Sequence, residues 1–147
     1  MFKHILIPTD GSELSDKAIE AGVEFAREVS ARVTGFTAVP EYRIPSQVEL
    51  MSKHGVSLPQ YEEDMQRQAD TALRKISERA RAAGVACDTD FTQSDSPHQA
   101  IISAAKSHGC DLIFMASHGR SGISALIHGS ETQEVLAHST IPTLVYR

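Results

Sequence analysis

The chain has 147 residues, 41% hydrophobic and 22% charged, which fits one soluble globular domain over 1–147 with a core of its own. Fourteen basic against nineteen acidic side chains leave a formal charge of −5, which excludes broad electrostatic attraction to nucleic acid or to an anionic membrane. No apolar run approaches the roughly 20 residues that cross a bilayer. Met1-Phe2-Lys3-His4-Ile5 enters a strand pattern without the layout of a signal peptide. Cys87 and Cys110 are the only cysteines, a count that fits reduced thiols and a cytoplasmic setting.

The first element is a central strand over 4–9, ended by Pro8, which cannot donate to a ladder. Asp10-Gly11-Ser12 is a turn. Leu14, Ala18, Ala21, Phe25 and Val29 then fall at helical spacing, so a helix runs from Ser12 to about Ser30. A second strand covers 32–39 and Pro40 stops it. Residues 41–59, with Pro45, Gly55 and Pro59, show no clean period and read as an excursion with one helical turn near Val48–Met51. Tyr61, Met65, Ala69, Leu73, Ile76 and Ala80 mark a long amphipathic helix, with Glu62-Glu63-Asp64 in its first turn and Gly84 as its stop. Residues 85–92 alternate from Cys87 onward, the pattern of a strand near a sheet edge. Ser96-Pro97-His98-Gln99 is a helix start with a serine cap, proline in the first turn and glutamine reaching back. Ala100, Ile101, Ala104 and Ala105 supply that helix's buried stripe, and Gly109 ends it.

Leu112-Ile113-Phe114-Met115-Ala116 is a continuous apolar run, the sign of a strand buried on both faces. It runs into Ser117-His118-Gly119. Nine residues beyond Gly119 come Gly129 and Ser130, and Ser130-Glu131-Thr132-Gln133 is a second capping-box candidate opening a helix to about His138. A last strand covers 141–146. Strand and helix alternate through the chain, which predicts an α/β fold: a five-stranded parallel sheet, helices on both faces, right-handed crossovers. The two most apolar strands, 4–9 and 111–116, should be central neighbours. The ligand crevice of such a sheet lies where the winding reverses, at the strand C-terminal ends. It would bring Pro8-Thr9-Asp10 to Met115–Gly119. A buried strand, a glycine turn and a glycine at a helix start are the parts of a phosphate cradle built from main-chain N–H groups. The residues therefore point to a nucleotide, and ATP first among nucleotides.

Three segments in order, Ile5-Leu6-Ile7-Pro8-Thr9-Asp10-Gly11-Ser12, Ala116-Ser117-His118-Gly119 with Gly129-Ser130, and Ile141-Pro142-Thr143-Leu144-Val145-Tyr146, resemble the universal stress protein family over essentially the whole domain. The resemblance implies a Rossmann-like sheet of the adenine nucleotide alpha hydrolase type. The family's ATP-binding branch carries Gly-x2-Gly-x9-Gly-Ser/Thr. Here Gly119, Gly129 and Ser130 fit, and Ala116 stands in place of the first glycine. If that position needs positive φ, alanine costs on the order of 1 kcal/mol there. If it needs only a small side chain, alanine nearly suffices.

Carried onto this sequence, the resemblance implies that Asp10 contacts the adenine amino group or the sugar. Val39 offers main-chain groups to the adenine edge, Ala38 and Pro8 line the pocket beside Thr9, and Met115 and Ala116 flank the adenosine. His118 and Gly119 belong to the same motif. Gly119, Gly129, Ser130 and the N–H groups of Glu131 and Thr132 hold phosphates, with Arg120 a charge partner. The implied ligand is ATP, with ADP or AMP as related candidates and Mg2+ accompanying the triphosphate, although no dedicated carboxylate cage is visible. A homodimer through 143–147 is implied as well, since Leu144, Val145 and Tyr146 at a sheet edge would be exposed without a partner.

Blander readings stand beside these. The glycines fit ordinary turns, Ser130 fits a helix cap, Asp10 fits a turn and Arg120 a solvated charge. His98, His108, His118, His128 and His138 recur every ten residues but fall on different elements, which disfavours a metal site. No Gly-Lys-Ser/Thr is present, so a P-loop is excluded on residues, and Ser117-His118 lacks the GxSxG elbow of a hydrolase nucleophile. No catalytic residue is assigned. Three functions remain open: a stress-response regulator that changes partner or oligomeric state with nucleotide occupancy and little turnover, its protein partner unknown; a dimeric interaction protein of the same fold that binds no nucleotide, which Ala116 favours; and an enzyme of this architecture, at most a slow ATPase, which the lack of a general base disfavours.

Overall fold

The computed structural model describes residues 1–52, 55–117 and 130–147. The elements follow in the order β1 (His4–Pro8), α1 (Glu13–Glu28), β2 (Arg32–Val39), α2 (Gln47–Met51), α3 (Leu58–Ala82), β3 (Cys87–Gln93), α4 (Pro97–Ser107), β4 (Leu112–Ala116), α5 (Ser130–His138) and β5 (Thr143–Tyr146). The strands form one sheet in the order β3-β2-β1-β4-β5, and every pairing is parallel. β1 and β4 are neighbours near the middle, and β3 is an edge strand, as their apolar and alternating patterns predict.

Period-two alternation sorts the side chains into two cores. Ile5, Ile7, Val33, Leu112 and Phe114 face α1 and α3, while Leu6, Phe36, Ile113 and Met115 face α4 and α5. Gly35 lets α3 approach the sheet: a Cβ built there would lie 3.0 Å from Ile76 Cδ1 and Cγ2. Gly84 and Gly109 sit at positive φ (71° and 67°) just past α3 and α4, where a residue with a Cβ would be strained.

Several local expectations are corrected. The first strand does end at Pro8, one residue short of the expected 4–9 span. Thr9 N–H donates to the Phe36 carbonyl, so Pro8, one residue earlier, turns its nitrogen toward β4. Pairing with β4 has already stopped at Leu6 and Ile113, and the missing N–H leaves the sheet open there. The long helix starts at Leu58, inside the expected excursion, because Ser57 Oγ accepts from Gln60 N–H and Pro59 occupies the first turn. First-turn nitrogens have no helical acceptor, so proline is tolerated there. The acidic run 62–64 accordingly lies beyond the first turn. The helical turn in the excursion is α2, held by a capping box between Ser46 and Glu49.

The start of α4 differs most. Ser96 makes no side-chain cap. Glu131, from α5, takes its place: Oε2 accepts from His98 N–H at 2.7 Å and lies 3.0 Å from His98 Nδ1. Finally, Leu144 and Tyr146 are half-buried against the α1/α3 core rather than standing exposed, although β5 is an edge strand. Among the described residues no helix is long and apolar enough to cross a membrane.

Candidate functional site

A crevice of about 780 Å³ opens over the C-terminal ends of β1, β2 and β4. This is the point where the chain, having wound outward from β1 through β2 to β3, crosses back to β4, and there adjacent crossovers lie on opposite faces. Pro8, Thr9, Asp10, Ala38, Val39, Met115, Ala116, Ser130, Glu131 and Thr132 all line it. Four segments that are distant in sequence thus meet there. His118, Gly119, Arg120 and Gly129 lie outside the described residues.

The floor and walls are fixed by hydrogen bonds. Thr37 Oγ1 donates to the Thr9 carbonyl at 2.8 Å, and Gly11 N–H donates to Thr9 Oγ1 at 3.1 Å. The Asp10 carboxylate accepts through Oδ1 from Ser12 N–H at 2.9 Å and from Ser15 Oγ at 2.7 Å. These bonds orient it at the mouth of α1. Thr132 is buried, and its Oγ1 donates to the Ala116 carbonyl at 2.9 Å, so the first turn of α5 is seated on the end of β4.

Ladder geometry decides which main-chain groups face the crevice. In a parallel ladder a residue's N–H and C=O point to the same neighbour, and successive residues alternate. Phe36 C=O faces β1, where it accepts from Thr9 N–H, and Val39 C=O faces β3, where it accepts from Ser94 N–H at 2.8 Å. The main-chain groups of Val39 therefore serve the β2–β3 ladder. Those of Ala38 point to the β1 side, past the point where β1 ends.

The position of Ala116 settles its backbone. It is the last residue of β4, paired with Tyr146, and among the described residues Ser30 is the one non-glycine with positive φ. A left-handed penalty does not arise at Ala116, and its side chain is small where β4 meets the crevice.

The sequence does not single out the α3 wall. Asp64, Arg67, Gln68, Thr71 and Lys75 line the crevice from that helix, and Pro97 and Ile101 do so from α4. Arg67 pairs with Asp64 at 2.9 Å, and Lys75 reaches across to Asp16 of α1 at 2.7 Å. A helical period marks the buried stripe of α3. The target of its polar face depends on how the helix crosses the sheet, which no pattern in the sequence states. Among the described residues no group of three or more His, Cys, Asp or Glu side chains is arranged to hold a metal ion.

The comparisons with known proteins agree with this geometry. The universal stress protein YxiE of Bacillus subtilis is 29% identical over 163 residues, covering the whole of both chains. A universal stress protein of Thermus aquaticus is 29% identical over 150 residues, again covering both chains entirely. The solved structure of MJ0577, a universal stress protein of Methanocaldococcus jannaschii, is similar with a TM-score of 0.79 at 26% identity, covering 99% of this chain and 95% of that one. A universal stress protein solved in complex with cAMP shares the fold, with a TM-score of 0.70 at 21% identity over 99% of this chain and 97% of that one. The universal stress protein family model matches residues 1–147, and the chain belongs to that family.

Proposed function

We propose that the crevice binds an adenine nucleotide, ATP first and ADP or AMP as related ligands, and that the protein is a regulator whose output is a change of partner or oligomeric state rather than turnover. The observation that carries this reading is the convergence of Pro8–Asp10, Ala38, Met115–Ala116 and Ser130–Thr132 on one crevice. Relatives of the same fold solved with cAMP and with dAMP support the adenine choice. Ala38 N–H and C=O offer a donor and an acceptor to the base edge, the role first given to Val39. Asp10 contacts the amino group or the sugar. The main-chain N–H groups at the start of α5 face the phosphates, where the helix end favours negative charge. The crevice carboxylates Asp10, Asp64 and Glu131 each accept from protein donors. They do not fit a dedicated Mg2+ cage, so Mg2+ would arrive with the triphosphate.

The same reading includes a homodimer through β5, whose outer edge a two-fold partner would cover. Truncation after Pro142 is expected to give monomers or aggregates by light scattering; an intact dimer counts against that interface. The free thiols of Cys87 and Cys110 fit a cytoplasmic setting.

Mass spectrometry of small molecules released from the purified protein, with calorimetric titration of ATP, AMP and GTP, tests the nucleotide. Adenine nucleotides should bind more tightly than GTP, and Asp10→Ala should weaken adenosine selectivity more than phosphate binding. A protein that takes up none of them is the interaction module without a nucleotide.

A further inference from the structure

The chain leaving β2 forms one crevice wall at Ala38, Val39 and Pro40, and it is gripped at consecutive residues from outside. The Val39 carbonyl accepts from Ser94 N–H. Pro40 has no N–H, and its carbonyl accepts from the Tyr61 hydroxyl on α3. Glu41 N–H donates to Asp95 Oδ1 at 3.1 Å, from the turn between β3 and α4. The Tyr61 ring packs on Tyr42 with centroids 5.2 Å apart, and the Tyr42 hydroxyl donates to the Val56 carbonyl at 2.9 Å, which closes the excursion at its base. Burial, aided by the charge of Asp95, pushes the Tyr61 hydroxyl above its ordinary pKa. Neither Tyr61 nor Asp95 lines the crevice.

We infer that Tyr61 and Asp95 are positioning residues that preset the Ala38 donor and acceptor for the edge of one purine base. The inference rests on the adenine-nucleotide reading above. A donor and an acceptor held at fixed spacing discriminate between bases because the wrong edge leaves a desolvated group unpaired. That discrimination needs a rigid backbone. A strand end free to shift by a fraction of an ångström adapts to either edge and loses the distinction. Two clamps on adjacent residues, one from each side of the wall, remove that freedom. Because the clamps act on residues 40 and 41 rather than on the ligand, they set base selectivity and leave the α5 end of the crevice untouched.

Tyr61→Phe tests this, since it keeps the ring on Tyr42 and removes only the hydroxyl. The probes are AMP and GMP, titrated calorimetrically, with amide exchange of the ligand-free protein read at Glu41 by NMR. AMP affinity should fall about tenfold, the loss of one well-formed hydrogen bond's worth of preorganisation. GMP should change by less than about twofold, and Glu41 should exchange faster. Asp95→Ala should narrow the AMP-to-GMP ratio in the same way. Asp95→Asn, which keeps an acceptor oxygen, should restore it. A wild type that discriminates, with an equal ratio in Tyr61→Phe, overturns this inference alone. A wild type that binds AMP and GMP alike also overturns it. A wild type that binds neither defeats the adenine reading and this inference together.

Discussion

Removing Glu131 should unseat α4. The first-turn N–H groups of a helix have no internal acceptor, and in α4 Pro97 brings no N–H at all. His98 supplies the first available donor, and Glu131 Oε2 takes it at 2.7 Å while also lying 3.0 Å from His98 Nδ1. Loss of a cap costs about 0.5–2 kcal/mol. A charged acceptor would push that upward, but the Glu131 side chain is 46% exposed, and water replaces part of what is lost. An expected cost of about 1–1.5 kcal/mol for Glu131→Ala follows. In a domain of this size that lowers the melting temperature by roughly 3–6 °C. Glu131→Gln, which keeps one acceptor oxygen, should fall between Glu131→Ala and wild type. Ser96→Ala, at the residue whose local sequence announces the cap, should stay within about 0.5 kcal/mol of wild type. Urea and thermal unfolding by circular dichroism measure all three. A Ser96→Ala variant that loses more stability than Glu131→Ala would refute the assignment.

Gly35→Ala would place a Cβ 3.0 Å from Ile76 Cδ1 and Cγ2 in a fully buried contact. It should cost about 1–3 kcal/mol in urea unfolding, and less on an Ile76→Ala background; equal costs on both backgrounds would show that the contact is not the cause. His4 has its pKa lowered, first by burial and then by the charge of Arg32. The unfolded chain therefore binds the proton more readily, and the stability linked to His4 is whole above about pH 6.5 and drains as pH falls through the lower folded value. A His4→Gln variant should flatten that limb of the urea midpoint against pH, and an unchanged slope would count against it. Burial pushes the Cys110 thiol up to about 11, against a hydrogen bond from Thr34. Iodoacetamide at pH 8 should label native Cys110 far more slowly than Cys110 of the urea-unfolded chain, read by peptide mass spectrometry; equal rates would contradict the burial.

Much of the site was legible because it depends on local chemistry. Pro8-Thr9-Asp10 and Met115-Ala116 carry the signature of buried strands ending at turns, and parallel topology obliges the ends of neighbouring central strands to lie together. The Ser130 start of α5 was legible as a helix opening. Capping was less so, because a side chain from a distant helix can satisfy an N–H as well as the nearest serine. Ser96 and Glu131 are that case: the local pattern names the wrong acceptor for the first-turn N–H, and only packing of α5 on α4 corrects it.

What the sequence determined by itself is the order of strands and helices, the two-faced character of β1 and β4, and the glycine stops at 84 and 109. These follow from side-chain periodicity and from backbone angles that single residues impose. What only the tertiary structure decided is which atoms face the crevice. A hydrogen bond in a sheet or across two helices belongs to two segments at once, so its direction has no trace in either segment alone. That is why Ala38 rather than Val39 turns its main chain to the crevice, why the polar side of α3 forms a wall there, and why Tyr61, twenty-one residues away in the chain, holds the carbonyl of Pro40.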